Sequence, residues 1–213
     1  RPAPPGPVGP LQLKGEPLIT VGLAWDLDTL TLTPAEGLAA IDTHWQGARR
    51  VPARSALRFR ASAHGVIVEG ARGSEWDAEF MAAPRETCWL SGSDPAGATA
   101  AWGGKHWRGA LGVFLNPRGR LTLVSRLPIE SYLCGVVPGE IGALRDSLVE
   151  AGRAQAIAAR SYSLFYRGRR ATEGFDVYAS VEDQVYGPGE SERPLATHCV
   201  ESTRGLVSTY EGA

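Results

Sequence analysis

The sequence predicts an α+β fold: a β-rich N-terminal lobe with hairpins, followed by a mixed lobe built around one long buried helix. Three observations carry this expectation. Residues 18 to about 126 break into short runs that alternate apolar and polar side chains, the period of a strand with one buried face. Near residue 127 that texture ends. From 147 to 167 apolar residues recur at helical spacing around most of the circumference. Twenty-six Gly and 15 Pro among 213 residues agree with many turns.

The elements follow in order. The first ten residues hold five Pro and two Gly, so residues 1–17 read as an extended linker. Leu18 to Ala24 is a strand candidate, and Asp26-Leu-Asp28 can turn the chain into Thr29-Leu-Thr-Leu-Thr33. Leu57 to Arg60 and His64 to Glu69 form the next alternating pair. The clearest hairpin joins Ala110–Leu115 to Arg120–Arg126 through Asn116-Pro-Arg-Gly119, where Pro117 suits the first central turn position and Gly119 can take positive φ.

Residues 18–126 are thus one part, and 127–213 a second. In the second part Pro128 can open a short helix through Leu133, and Val136-Val137 leads into a Pro138-Gly139 turn. Ser147-Leu-Val-Glu150 is a capping-box pattern, so a helix is expected over 147–167, stopping at Gly168. Its apolar stripes run through Leu148, Ala151, Ala159, Tyr162 and Tyr166, and through Ile157, Leu164 and Phe165. Gln155 and Arg160 fall among them and need polar partners, because an unpaired buried polar group costs roughly 1–3 kcal/mol. A second helix over about 191–203 and a strand over 203–210 complete the pattern. The chain stops where that strand would need a return partner, which reads as a C-terminal truncation.

Composition excludes several classes. A net charge of −1 argues against nucleic acid or an anionic membrane surface as the main partner. No apolar run is long enough to span a bilayer. Cys88, Cys134 and Cys199 lack zinc-type spacing and read as partly buried apolar thiols. His44, His64, His106 and His198 are scattered and suggest no metal or triad. Trp102 and Trp107, flanking Gly103-Gly104, could stack on sugars, although packing is the default for both.

Four ordered blocks carry a resemblance: Tyr132-Leu-x-Gly-Val-Val-Pro-Gly-Glu140, Ala154-Gln-Ala-x-Ala-Ala-Arg-x-Tyr162, Gln184-Val-Tyr186 and Val200-x-x-Thr-x-Gly-x-Val-x-x-Tyr-x-Gly212. Together they resemble the SpoIID/LytB family, which comprises stage II sporulation protein D and the amidase-enhancer proteins. The family includes peptidoglycan lytic transglycosylases acting on glycan strands stripped of stem peptides. The resemblance implies Glu140 as the catalytic acid, with Gln155, Arg160, Tyr162, Gln184 and Tyr186 as candidate substrate-binding residues.

It also implies an extracytoplasmic address, by export or a tether, and no cofactor. Some members bind zinc just before Gln-Val-Tyr. Here Asp176 to Asp183 contains neither Cys nor His, so no metal is expected. This chain departs from the usual pattern at Cys134, Ile141 and Gly142-Ala-Leu-Arg145.

In that chemistry one carboxyl can suffice. The muramic C6 hydroxyl attacks its own anomeric carbon, so no water need be held; the acid protonates the glycosidic oxygen and then takes the hydroxyl proton. Partial burial beside Val136, Val137 and Tyr162 would favour the uncharged carboxyl this needs. Arg160 would then grip substrate or another carboxylate. The alternative reading is a non-catalytic protein that binds the wall and activates an N-acetylmuramoyl-L-alanine amidase. A third is a hydrolase in which Asp176 or Asp183 supplies a second carboxylate, although a solvated loop is the default for both.

Overall fold

The computed structural model describes residues 11–12, 15–35, 39–42, 49–51, 55–72, 75–83, 86–92, 94 and 96–209. Expectations for residues 1–10, His44, Tyr210 and Gly212 lie outside these. The described strands are β1 (Leu11–Gln12), β2 (Leu18–Leu27), β3 (Thr29–Pro34), β4 (Ala39–Asp42), β5 (Arg49–Val51), β6 (Leu57–Ser62), β7 (Gly65–Arg72), β8 (Glu75–Ala82), β9 (Cys88–Ser91), β10 (Ala98–Trp102), β11 (Lys105–Arg108), β12 (Ala110–Leu115) and β13 (Leu121–Pro128). There follow α1 (Ile129–Ile141), α2 (Val149–Phe165), β14 (Val177–Tyr178), α3 (Pro194–Ser202) and β15 (Leu206–Val207). The fold is α+β, with three helices gathered in the C-terminal part.

Two sheets account for most strands. One runs β11-β10-β3-β6-β7-β8 and the other β14-β2-β13-β12-β9-β4-β5. The chain changes sheet at Asp28, between β2 and β3. Buried faces of both sheets meet in one hydrophobic cluster, with Leu32, Phe59 and Val68 from the first and Val21, Leu111 and Leu123 from the second. Tyr132, Leu133, Val136 and Val137 of α1 join the same cluster.

The hairpin β12–β13 forms as expected: Gly119 N–H donates to the Asn116 carbonyl at 2.9 Å, and Gly119 takes φ 73°. Because β14 pairs parallel with β2 (Val177 opposite Val21), both parts of the chain share a sheet as well as a core. The expected boundary at 126/127 falls inside β13.

Three local expectations need correction. Residues 11–12 and 15–17 are not free linker. Leu11–Gln12 pairs antiparallel with Leu206–Val207, supplying the return partner that the last strand needed. The first amides of α1 then dock on this segment: Ile129 N–H donates to the Pro17 carbonyl (3.0 Å) and Glu130 N–H to the Glu16 carboxylate (3.1 Å). These donors lack intrahelical acceptors, and a distant stretch of chain satisfies them.

The capping box does not form either. A 3-10 turn over Asp146–Leu148 leads into α2, Leu148 caps it without a side-chain bond, and Glu150 pairs with Arg153 instead. Finally, α2 is buried on one face only, through Gly152, Ala156, Ala159, Arg160 and Ser163. Leu148 is 48% exposed and Phe165 80%. Apart from Arg160, the buried face is made of small residues, because α1 and α3 approach it closely: a side chain at Gly152 would meet Cys199 Sγ of α3 at 2.7 Å.

Candidate functional site

Glu140 lies in the last turn of α1, not after a Pro-Gly turn. Pro138 sits inside the helix; it removes one backbone donor, but burial of Tyr132, Leu133, Val136 and Val137 carries the helix through. The helix closes where Gly142 N–H donates to the Pro138 carbonyl at 3.0 Å, with Gly142 at φ 68°. Glu140 therefore stands at the carbonyl end of a helix. Its side chain is exposed rather than partly buried.

Two glycines one turn apart explain what faces it. A Cβ at Gly135 would lie 2.6 Å from the Tyr186 ring and 2.7 Å from the Gly187 carbonyl, and one at Gly139 would lie 2.5 Å from the Val185 carbonyl. This side-chain-free groove lets residues 184–187 lie directly on the helix backbone, and Gly187 N–H donates to the Gly135 carbonyl at 3.3 Å.

Both neighbours of Val185 point inward. Gln184, 5% exposed, accepts at Oε1 from Tyr132 Oη (3.1 Å) and Ser163 Oγ (2.7 Å), and its Nε2 donates to the Ala159 carbonyl (3.3 Å). Tyr186, also 5% exposed, packs between the rings of Tyr132 and Trp107, at centroid distances of 5.1 and 5.7 Å. Val185 is left with its amide turned toward Glu140, and it donates to Oε1 at 2.6 Å. Oε2 has no hydrogen-bond partner among the described residues. Pro138, Gly139, Gly142 and Ala143 of the α1 terminus line a cleft of about 260 Å³ with Ser191 and Arg193; the Glu140 side chain is not part of its lining.

The other expected site residues separate into two groups. Arg160, Gln184 and Tyr186 belong to the interior and hold the site's framework; no glycan could reach them. Arg160 is fully buried and binds Glu130 with both arms, Nε to Oε1 at 2.9 Å and Nη2 to Oε2 at 2.7 Å. Its Nη1 donates to the Leu206 carbonyl at 2.8 Å. Arg160 thus grips another carboxylate, the second of the two roles its sequence context allowed, and ties α2 to α1 and β15.

Tyr162 and Gln155 are half-buried on α2. Tyr162 Oη donates to Asp183 Oδ1 at 3.1 Å. Asp183 is not a solvated loop residue: its side chain is 1% exposed and also accepts from Arg170 Nε and the Tyr178 amide, each at 2.8 Å. Burial pushes its carboxyl up, but those three donors outweigh burial and hold it below the usual carboxylate range. Asp176 is a latch, accepting from the amides of Thr20 and Gly168. Neither aspartate faces Glu140 as a second catalytic carboxylate.

Trp107 is core, as expected. The three cysteines are free thiols, and Cys88 and Cys199 are buried. Burial, with a smaller contribution from Glu86, pushes the Cys88 thiol up to about 12; burial, followed by Glu192, lifts Cys134 to about 11.

Sequence reasoning missed Glu130, the Val185 amide and the Gly135/Gly139 groove. A buried arginine does announce that a carboxylate is needed. Spacing alone could not say which one, because Glu130 lies 30 residues away.

Residues 117–210 match the family model described as SpoIID, stage II sporulation protein. An uncharacterized protein of Brachyspira hyodysenteriae (strain ATCC 49526 / WA1) is 33% identical over 110 residues, covering 51% of this chain and 29% of that protein. The chain therefore spans less than a third of that relative's length. No solved structure gives a significant match.

Proposed function

The chain belongs, through residues 117–210, to the SpoIID family of stage II sporulation proteins, and from that premise we propose that it is a lytic transglycosylase of the cell wall, with Glu140 as its single acid and base. The substrate is peptidoglycan glycan stripped of stem peptides. The carrying observation is the exposed carboxyl at the end of α1, fixed through Oε1 by the Val185 amide at 2.6 Å. An uncharged carboxyl has one carbonyl oxygen that accepts and one hydroxyl that donates. With Oε1 engaged as acceptor, Oε2 is the oxygen that delivers the proton.

Glu140 protonates the glycosidic oxygen as the C1–O bond breaks. The C6 hydroxyl of the same muramic residue then bonds to C1 and returns its proton to the carboxylate, leaving a 1,6-anhydro end and a regenerated acid. The absence of a second carboxylate opposite Glu140, among the described residues, favours this route over hydrolysis, which needs a paired base or nucleophile. The family ties the work to the cell envelope, and an address outside the cytoplasm is part of the proposal. No helix among the described residues is long and apolar enough to cross a membrane.

A second reading has its own support. Phe165 and Val181 are 80% and 88% exposed, and large apolar side chains held in solvent suit docking to a protein. On that reading the chain binds the wall and stimulates an N-acetylmuramoyl-L-alanine amidase.

Mass spectrometry of peptide-free glycan incubated with the protein separates the two. The transglycosylase reading expects anhydromuramic ends from the native sequence and none from Glu140→Gln, whose amide oxygen can still accept from Val185. Equal cleavage by both would refute the role of Glu140. Failure of the native protein to cleave, with stimulation of an amidase, would establish the second reading.

A further inference from the structure

We propose that a cavity between the ends of the two sheets, separate from Glu140 and from the cleft at the α1 terminus, binds a small zwitterion of the amino-acid or short-peptide class. It is about 530 Å³, within the range of small-molecule sites, and larger than the cleft at the α1 terminus. Leu18 at the start of β2 and Ala110 at the start of β12 give it apolar walls. Leu18 is 38% exposed, so this wall opens to solvent.

Its polar groups are few and unspent. Arg126, near the end of β13, has no hydrogen-bond or ion-pair partner for its guanidinium among the described residues, whereas Arg58, Arg108, Arg118, Arg120, Arg160 and Arg170 are all engaged. Asp94 accepts at Oδ1 from the Ala96 amide, and its Oδ2 has no partner among the described residues. Thr99 of β10 is only 3% exposed, yet its Oγ1 has no partner. Buried hydroxyls in that state are rare, because the missing bond costs stability.

Gly92 packs beside this hydroxyl: a Cβ on Gly92 would lie 3.6 Å from Thr99 Oγ1. The cavity thus presents a guanidinium and a carboxylate oxygen without partners among the described residues, beside an aliphatic wall.

A guanidinium selects a carboxylate or a phosphate. Asp94 on the same wall repels a dianion and attracts an amine, which favours an amino-acid zwitterion over a phosphate. Leu18 and Ala110 suit an aliphatic side chain. This inference stands whether or not Glu140 cleaves glycan.

The test is a titration of the full chain with leucine, alanyl-leucine and alanyl-leucine amide. It is followed by calorimetry and by the amide resonances of Ser91, Gly92 and Thr99. Saturable binding of leucine or alanyl-leucine is expected, and which of the two binds more tightly assigns the site to a free amino acid or a peptide end. Loss of the carboxylate in the amide, or of the cation in Arg126→Gln, should weaken binding at least about tenfold, as for a charge-assisted bond. Arg126 is exposed, so that variant should fold, and Gly92→Leu should crowd the cavity that Gly92 lines and abolish binding. No saturable binding by the native protein, or equal binding of the acid and the amide, would overturn the proposal.

Discussion

Replacing Arg160 by Met tests whether the guanidinium holds the fold or the substrate. The side chain is fully buried and bonds Glu130 through two nitrogens, with a third bond to the Leu206 carbonyl. Methionine of similar length leaves the Glu130 carboxylate buried without its counter-ion, and breaking one side of such a pair costs about 3–5 kcal/mol. That is a large share of the roughly 5–15 kcal/mol that keeps a domain folded.

The pair itself is worth less than its breakage suggests, because two charges had to leave water to form it. Glu130→Leu combined with Arg160→Met should therefore be markedly more stable than the sum of the single losses, by about 2 kcal/mol or more. Urea unfolding followed by tryptophan fluorescence gives all four values. A single Arg160→Met loss below about 1 kcal/mol, or strict additivity in the double variant, would refute the structural role. Glycan cleavage lost at unchanged stability would return Arg160 to the substrate.

The groove beneath Val185 makes a separate prediction. Alanine at Gly139 puts a carbon 2.5 Å from the Val185 carbonyl and forces a shift of roughly 1 Å, and misplacement on that scale can lower a catalysed rate about 100-fold. Circular dichroism should show the helix retained, since alanine favours helix by about 1 kcal/mol; unchanged turnover would show that the Val185–Glu140 bond does not matter.

Asp183, held below its ordinary value in the folded state, contributes stability that is present above its unfolded value near ~3.9 and is lost as pH falls through the folded value. Denaturation midpoints should therefore drop in acid more steeply for the native sequence than for Asp183→Asn, and parallel curves would contradict the network. For the thiols, with Cys88 near about 12 and Cys134 near about 11, alkylation at pH 8 should be slow until the protein unfolds. Fast native labelling of either would mean the burial is wrong.

Local rules read well where one segment answers to itself. The β12–β13 hairpin and the β2 to β3 turn were legible because turn chemistry and alternation act over a few residues. They failed where a distant segment decides. Pro138-Gly139 has the composition of a turn, but residues 184–187 need a bare helix face, so the helix runs on to Ile141. Ser147 and Glu150 spell a capping box that the 3-10 turn leaves unused. Residues 1–17 looked like linker because nothing local shows that β15 needs Leu11–Gln12, or that the first amides of α1 need Glu16 and Pro17.

From residue order alone came the fold class, the ordered blocks and Glu140 as the side chain to watch, since alternation, helical spacing and motif identity are properties of the string. Only the folded molecule could decide that Arg160, Gln184 and Tyr186 face inward, and that Oε1 of Glu140 is held while Oε2 has no partner among the described residues. Those outcomes depend on groups far apart in the chain, such as Glu130 with Arg160 across 30 residues, Glu140 with Val185 across 45 and Tyr132 with Gln184 across 52. Burial and hydrogen-bond partnership arise between segments, and no single segment encodes them.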